Sequence, residues 1–254
     1  MVLPYSKKNM LEMDPRRDFT ASTEIRKRYG ILSSPRSGGT LLGRMLYDTG
    51  QAGDPLEYFN LRLLQIGREQ SKNTSLALFD FLRLMESRRT SPNGVFGIKI
   101  QYDHILRAFR TETPNEKMVK FLERHDCLFW VRRRNKIRQA ISHAIAVHTN
   151  AWSSEEGKTD EPILIPLLDC ITSFQAISHQ DLGWEQLFQL NEIEVSTIWY
   201  EDLVAEYEAT CRLVLTSLRL DTSVPQVPSP SIRRQSGTIN EQLYAQMVDY
   251  LGAR

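Results

Sequence analysis

The stretch SSPRSGGT, residues 33–40, combines hydroxyl side chains with one proline, one arginine and two glycines. It lies between the apolar run YGIL and the amphipathic run TLLGRML, which predicts a loop joining a buried strand to a helix. Backbone N–H groups in such a loop can converge on an anion, and the positive end of the helix strengthens the attraction. The two glycines allow close approach of the backbone. The alternative is an ordinary turn with a Ser or Thr helix cap.

The same loop lacks the lysine of the nucleotide-triphosphate motif GxxxxGK[ST]. Enzymes that transfer a γ-phosphoryl group recruit that lysine and Mg²⁺, because the group concentrates negative charge. A sulfuryl group carries less charge, so arginine, backbone amides and hydroxyl groups can suffice. Arg36 offers a bidentate charge, and Thr40 offers an oxygen ligand or a helix cap. These features argue against ATP as the donor.

A second basic segment, WVRRRNKIRQAIS at 130–142, follows the apolar run CLFWV and opens another amphipathic stretch. Arg133 lies at the predicted strand end, and Ser142 lies about two turns into the predicted helix. Together they can clamp a second phosphate, with Arg132 or Arg134 as alternatives to Arg133. The other interpretation is a solvated charge run that ends a strand.

The elements that must position these segments alternate along the chain. Apolar runs predict strands at 29–34, 94–100, 127–133 and 195–200. Amphipathic stretches predict helices at 40–50, 57–89 (as two helices), 135–149, 163–191, 201–218 and 239–251. The alternation predicts a P-loop-like α/β domain with a central parallel sheet of about four to five strands flanked by helices. We assign residues 28–254 to this domain and the charged residues 1–27 to an N-terminal extension, either mobile or a loosely packed helix.

Composition limits the class of protein. Lys and Arg number 32 against 31 Asp and Glu, which gives no reason to expect a nucleic-acid partner. The three cysteines are widely spaced, as suits a reducing cytoplasm, and the five histidines show no metal-binding spacing. The longest apolar runs fall short of a membrane span. We expect a cytoplasmic enzyme with no metal and no integral membrane segment.

Five stretches carry a family resemblance, and they span roughly residues 29–250: ILSSPRSGGTLLGRMLYDTGQAGDPLEYF, NGVFGIKIQYDHI, WVRRRNKIRQAISHAIAVHTNAW, WYEDL and RRQSG. The sequence resembles the sulfotransferase superfamily that uses 3′-phosphoadenosine 5′-phosphosulfate, and more closely its bacterial trehalose 2-sulfotransferase-like (Stf0-type) family. The resemblance implies this donor, adenosine 3′,5′-bisphosphate as product, and an acceptor hydroxyl on a carbohydrate or glycolipid. It also implies a possible homodimer.

The resemblance assigns roles to individual residues. The residues that would hold the 5′-phosphosulfate are Arg36, Ser37, Gly38, Gly39 and Thr40, and those for the 3′-phosphate are Arg133 and Ser142. The residues on the acceptor side would be Glu57 as general base, Asp54 and Trp152. Trp152 can alternatively stack on adenine, and packing in the core is the ordinary role of a lone Trp. Lys99 would aim at the sulfuryl group or the acceptor, and Arg234 in RRQSG would close over the nucleotide. Glu57, Arg36 and Lys99 form the predicted catalytic set.

Other interpretations stay open at this point. Glu57 can simply cap a helix that begins near residue 58, and Lys99 can be a solvent-exposed lysine at a strand end. At the level of the whole protein, one rival is a nucleotide-dependent kinase with a degenerate phosphate loop, which predicts binding of ATP with Mg²⁺. The other is a non-catalytic nucleotide-binding protein, in which Glu57 is dispensable.

Overall fold

A four-stranded parallel sheet lies at the centre of the computed structural model, which describes residues 7–19, 24–152, 164–223 and 238–252. The strands are β1 (Lys27–Ser33), β2 (Val95–Gln101), β3 (Cys127–Arg132) and β4 (Ser196–Trp199), in the order β2-β1-β3-β4. The register pairs Ile31 with Lys99 and Phe129, so β1 lies between β2 and β3. Site residues that follow these strands therefore meet at one edge of the sheet.

Helices surround the sheet. In the described part of the chain they are α1 (Lys7–Glu12), α2 (Gly39–Asp48), α3 (Leu61–Ser71), α4 (Leu78–Arg89), α5 (Tyr102–Ala108), α6 (Glu116–Leu122), α7 (Lys136–Thr149), α8 (Leu167–Leu190), α9 (Tyr200–Ala205), α10 (Tyr207–Ser217) and α11 (Thr238–Gly252). A short 3₁₀ turn covers Pro15–Arg17. Asparagine side chains cap three of the helices: Asn60 begins α3, Asn115 begins α6 and Asn135 begins α7.

The strands are apolar because helices cover both faces of the sheet. Successive β3 residues alternate between two cores: Leu128 and Trp130 pack with α3 to α6 and α8, whereas Phe129 and Val131 pack with α2 and α10. In β2 the same alternation places Phe96, Ile98 and Ile100 in the first core. Lys99 therefore points to the opposite face, towards α2. A third core joins α7, α8 and α11.

The predicted α/β architecture is confirmed, with four strands close to the predicted positions. Three details differ. The predicted helix 201–218 divides at Glu206 into α9 and α10, and the short helices α5 and α6 were not predicted. The N-terminal extension includes α1 and a buried Met13 that joins the first core. Within the described residues, no helix is both long enough and apolar enough to cross a membrane.

Candidate active site

The loop after β1 has the backbone of an anion-binding turn. Arg36 (φ 61°) and Gly38 (φ 104°) both adopt left-handed conformations, and Gly38 is the N-cap residue of α2. A Cβ on Gly38 would lie 2.7 Å from Cδ2 of Tyr200, so glycine is required by space as well as by φ. The first-turn N–H groups of α2 have no helical acceptor and face the end of the sheet. The loop therefore supplies donors rather than side-chain bulk.

Ser37 supports a ligand at this position. Its side chain is buried, and its Oγ has no hydrogen-bond partner in the part of the chain that the structure describes. A buried hydroxyl without a partner is costly, so such groups normally meet a ligand or water. The donor set of Ser37 and the α2 amides fits a phosphate or sulfate group.

Two buried side chains that sequence reasoning missed hold the loop in place. Gln139 of α7 donates from Nε2 to Ser34 Oγ (2.9 Å) and to the Pro35 carbonyl (2.7 Å). Trp184 of α8 donates to the Ser33 carbonyl at 3.2 Å. A lone amide or indole in an amphipathic helix gives no spacing signal, so only the tertiary structure reveals these anchors.

Arg36 reaches across the loop to α7. Its Nε donates to Ser142 Oγ (2.9 Å), and Nη1 donates to the Trp152 carbonyl (2.5 Å). The Trp152 indole donates to Asn150 and packs edge-on against His143. The structure thus brings together Arg36, Ser142 and Trp152, three of the residues predicted from the sequence.

The three adjacent arginines point in different directions. Arg133 is buried, with its guanidinium 4.6 Å from the centre of the Tyr200 ring, which also contacts Gly38. Arg132 stacks on Trp130 at 3.9 Å, and Arg134 pairs with the exposed Asp202 at 2.6 Å. Arg133 is therefore the arginine that faces the loop. The Tyr200 ring lies between Arg133 and Gly38, and nothing in the sequence pattern predicts this position.

On the other side of β1, three predicted residues form one connected network. Lys99 Nζ donates to Thr40 Oγ1 (2.7 Å) and forms an ion pair with Glu57 Oε1 (3.0 Å). Gln101 Nε2 also donates to Glu57 Oε1 (2.7 Å). Lys99 and Gln101 reach this face together because they are two residues apart on a strand. Both Lys99 and Glu57 are buried, so the solvent-exposed alternative for Lys99 is excluded.

Glu57 is positioned by backbone pairing. Leu56 forms a bridge with Ile98, and its carbonyl accepts from the Lys99 amide at 2.9 Å. The next helix, α3, begins at Leu61 with Asn60 as its cap, so Glu57 does not cap a helix. Thr40 does not act as a cap either, because Gly38 occupies that position. The carboxylate of Glu57 is thereby directed at Lys99.

The charges of this network shift the pKa values of its members. Burial by itself would raise the pKa of Glu57, but the ammonium groups of Lys99 and Lys8, with His104, hold it well below the usual glutamate value. Burial lowers the pKa of Lys99, and the Glu57 carboxylate opposes this effect. Glu57 is consequently a carboxylate at neutral pH.

Asp54 stands apart from the network. Its carboxylate is buried and accepts hydrogen bonds from the guanidinium groups of Arg17 (2.9 and 2.6 Å) and Arg89 (2.6 Å). Arg89 also pairs with Asp18 at 2.8 Å. These contacts make Asp54 an anchor for the loop 51–60, and none of them supports the predicted acceptor contact.

Arg234 and the segment RRQSG lie outside the described residues. Among the residues that are described, no cluster of His, Cys, Asp or Glu has a metal-binding arrangement.

The fold and the loop define an α/β protein of the phosphate-loop-like class. Comparison with known proteins narrows this class, because residues 28–246 match the model of the Stf0 sulphotransferase family, and the chain therefore belongs to that family. It is also similar to two proteins named trehalose 2-sulfotransferase. The protein of Mycobacterium tuberculosis (strain Erdman) is 26% identical over 246 residues, covering 84% of this chain and 91% of the relative. The protein of Mycolicibacterium smegmatis is 26% identical over 251 residues, covering 82% and 89% respectively.

Asp54→Asn should destabilise the protein strongly, because it removes the buried carboxylate that Arg17 and Arg89 share and leaves Asp18 as the one carboxylate paired with Arg89 among the described residues. We expect a loss of about 3 to 5 kcal/mol in the free energy of unfolding, measured by urea denaturation. The control is Asp80→Asn, which removes an exposed ion pair with Arg83 and should cost less than about 1 kcal/mol. Equal losses in the two variants would contradict the anchoring role of Asp54.

Lys99→Met should make the Glu57 carboxyl protonate at a higher pH, because burial then raises the pKa with less opposition. The depressed pKa means that ionised Glu57 stabilises the fold above the unfolded glutamate pKa of about 4.3, and this stabilisation is lost as pH falls through the folded pKa. Carboxyl-carbon NMR titration measures the shift directly. Lys120→Met, which removes an exposed lysine, serves as the control. An unchanged Glu57 titration in Lys99→Met would show that the ammonium does not hold the carboxylate.

Proposed function

We propose that this member of the sulphotransferase family transfers a sulfuryl group from 3′-phosphoadenosine 5′-phosphosulfate to a hydroxyl group of a carbohydrate or glycolipid. The observation that carries the proposal is the network of Glu57, Lys99 and Thr40 beside the loop after β1, in which Glu57 and Lys99 are buried. It places a carboxylate, a cation and a hydroxyl within one chain of contacts. A proton acceptor and charge stabilisers are the groups that sulfuryl transfer requires.

The donor would lie across the carboxyl end of β1. Its phosphosulfate would bind the loop after β1, and its 3′-phosphate would bind on the side of α7. The phosphosulfate would lie against Ser37, the Gly38 and Gly39 backbone, and Thr40. The 3′-phosphate would lie on the α7 side near Arg133 and Ser142. The orphaned hydroxyl of Ser37 and the direction of Arg133 support this orientation. Arg36, which bonds Ser142, lies between the two ends and can serve either of them.

The reaction would proceed by in-line attack of the acceptor oxygen on sulfur. The new oxygen–sulfur bond forms as the bond from sulfur to the bridging oxygen of the donor breaks. The acceptor proton passes to Glu57, and adenosine 3′,5′-bisphosphate leaves. The loop amides, Arg36 and Thr40 stabilise the negative charge that grows on the bridging oxygen.

Lys99 couples the two ends of this reaction. In the structure its ammonium lies between the Glu57 carboxylate and the Thr40 hydroxyl. The low pKa of Glu57 makes it a weak base while that ammonium is near. As charge grows on the leaving group, the ammonium is drawn towards Thr40, and the basicity of Glu57 rises. Proton uptake and leaving-group departure would thus assist each other.

The acceptor class is inferred from two sources. The similar proteins from the two mycobacteria are named for action on trehalose, a sugar. The lining of the cleft beside Lys99 also includes charged and hydroxyl side chains that can bind sugar hydroxyl groups, among them Lys8, Glu12 and Thr40. We therefore take sugars as the first acceptors to test.

Glu57→Gln should reduce sulfuryl transfer by about 10²- to 10⁴-fold, because the amide cannot take the acceptor proton. Binding of adenosine 3′,5′-bisphosphate, measured by calorimetry, should remain at the wild-type level. Glu208→Gln removes an exposed carboxylate paired with Arg212 and is the matched control. Normal turnover in Glu57→Gln would remove Glu57 from the role of base.

Arg133→Ala should weaken binding of adenosine 3′,5′-bisphosphate by about tenfold to a hundredfold, the value of a hydrogen bond to a charged group. Binding of adenosine 5′-phosphate, which lacks the 3′-phosphate, should change little. Arg132→Ala and Arg134→Ala provide neighbouring comparisons and should have smaller effects. Equal losses for both nucleotides would contradict the 3′-phosphate assignment, and tighter binding of ATP with Mg²⁺ would favour a kinase instead.

A further inference from the structure

The N-terminal segment, defined as residues 7–18, closes one side of the cleft beside Lys99. Building on the proposed function, we propose that this segment forms a wall of the acceptor site, in which Glu12 and Lys8 bind hydroxyl groups of a sugar acceptor. The match to the family model begins at residue 28, so this wall lies outside the part of the chain that the family model covers.

Buried contacts fix the segment to the domain. Arg17 forms the bidentate contact with Asp54, and its guanidinium also lies 4.0 Å from the centre of the Tyr47 ring. Met13 is buried in the first core, and its carbonyl accepts from Gln70 at 2.9 Å. The Asp14 carbonyl accepts from Arg89 at 3.2 Å. Contacts of this kind hold the wall in one position relative to the catalytic network.

The fixed segment presents charged side chains to the cleft. The cleft has about 490 Å³ of space free of protein atoms, part of it open to solvent, and its lining includes Lys8, Leu11, Glu12, Thr40 and Lys99. Lys8 and Glu12 form an ion pair at 3.3 Å, and the two residues are only 9% and 7% exposed. The positive charge of Lys8 also lowers the pKa of Glu57. The wall therefore lines the same cleft as Lys99 and Thr40 of the catalytic network.

The carboxylate of Glu12 indicates which kind of ligand this cleft would bind. Its Oε1 pairs with Lys8, whereas its buried Oε2 has no hydrogen-bond partner among the residues that the structure describes. A buried carboxylate oxygen requires a donor, and a sugar hydroxyl provides one. Leu11 and Leu56 add apolar surface on which the C–H face of a sugar ring can pack. This mixture of donor, acceptor and apolar groups suits a polyhydroxylated ligand.

The position of the cleft distinguishes acceptor from donor. Arg133, Ser142 and Tyr200 lie on the β3 and β4 side of β1, where the nucleotide end of the donor is proposed. Lys8 and Glu12 line the cleft together with Lys99 of β2, and Lys99 pairs with Glu57. An acceptor bound in this cleft would have its hydroxyl near Glu57 and would attack sulfur from the side opposite the departing nucleotide, as in-line transfer requires.

The test uses the full chain and two near-isosteric variants, Glu12→Gln and Lys8→Met. Labelled 3′-phosphoadenosine 5′-phosphosulfate is incubated with trehalose and a panel of mono- and disaccharides, and KM and kcat are measured for each accepted sugar. We expect both variants to raise the sugar KM by about tenfold to a hundredfold. Glu116→Gln breaks a similar i,i+4 ion pair on an exposed helix and should leave KM unchanged. Thermal melting confirms that each variant is folded.

Nucleotide binding separates this proposal from the function on which it rests. Wild type and variants should bind adenosine 3′,5′-bisphosphate equally, and a wild type that fails to bind it would refute the proposed donor. A wild type that binds the nucleotide but sulfates no sugar of the panel would overturn the acceptor class. Sugar KM values in Glu12→Gln and Lys8→Met within twofold of wild type would overturn the wall as a binding surface.

Discussion

The site depends on a carboxylate that is buried and yet charged. Removing Glu57 from water would by itself favour its neutral form, and only the cations around it reverse that preference. The nearest cation, Lys99, is itself buried and therefore needs the same carboxylate. Each charge offsets the cost of burying the other, so neither side chain would be stable as a buried ion without its partner. The backbone bridge from Leu56 to Ile98 is what brings them to 3.0 Å, so the path of the loop 51–60 is part of the chemistry.

The loop after β1 connects this pair to the rest of the site because alternate residues contact different elements. Arg36 bonds Ser142 on α7, Gly38 packs under Tyr200 beside Arg133, and Thr40 bonds Lys99 on β2. A displacement of the loop would disturb all three contacts at once. This explains why Gln139 and Trp184 are placed beneath it: they fix the strand end and the loop before any ligand binds, which reduces the cost of ordering on binding.

The sequence was sufficient to predict the architecture, the position of the loop after β1 and the proximity of Arg36 to Ser142, because the patterns behind these predictions are local. Strand runs, the glycine loop and the basic segment are each short patterns, and parallel strands bring their carboxyl ends together without further information. The acceptor side did not follow so easily. Asp54 was predicted to contact the acceptor, but its charge is taken up by Arg17 and Arg89, which are 37 and 35 residues away in the chain. Likewise, nothing in the spacing of Gln139 or Tyr200 indicates that they meet the loop. Long-range pairing of single polar side chains leaves no periodic signal.

The same contrast suggests how one scaffold can serve different acceptors. On the side proposed for the donor, the groups are mostly backbone amides and residues at strand ends, which the fold itself positions. The side proposed for the acceptor is assembled from side chains of separate segments, and one of these, residues 7–18, lies outside the part of the chain that the family model covers. Asp54 links residues 7–18 to the loop 51–60, because its carboxylate binds Arg17 and the same loop carries Glu57. A change in residues 7–18 can therefore alter the cleft without disturbing the phosphate loop after β1. A change in the loop 51–60 would disturb both the N-terminal segment and Glu57.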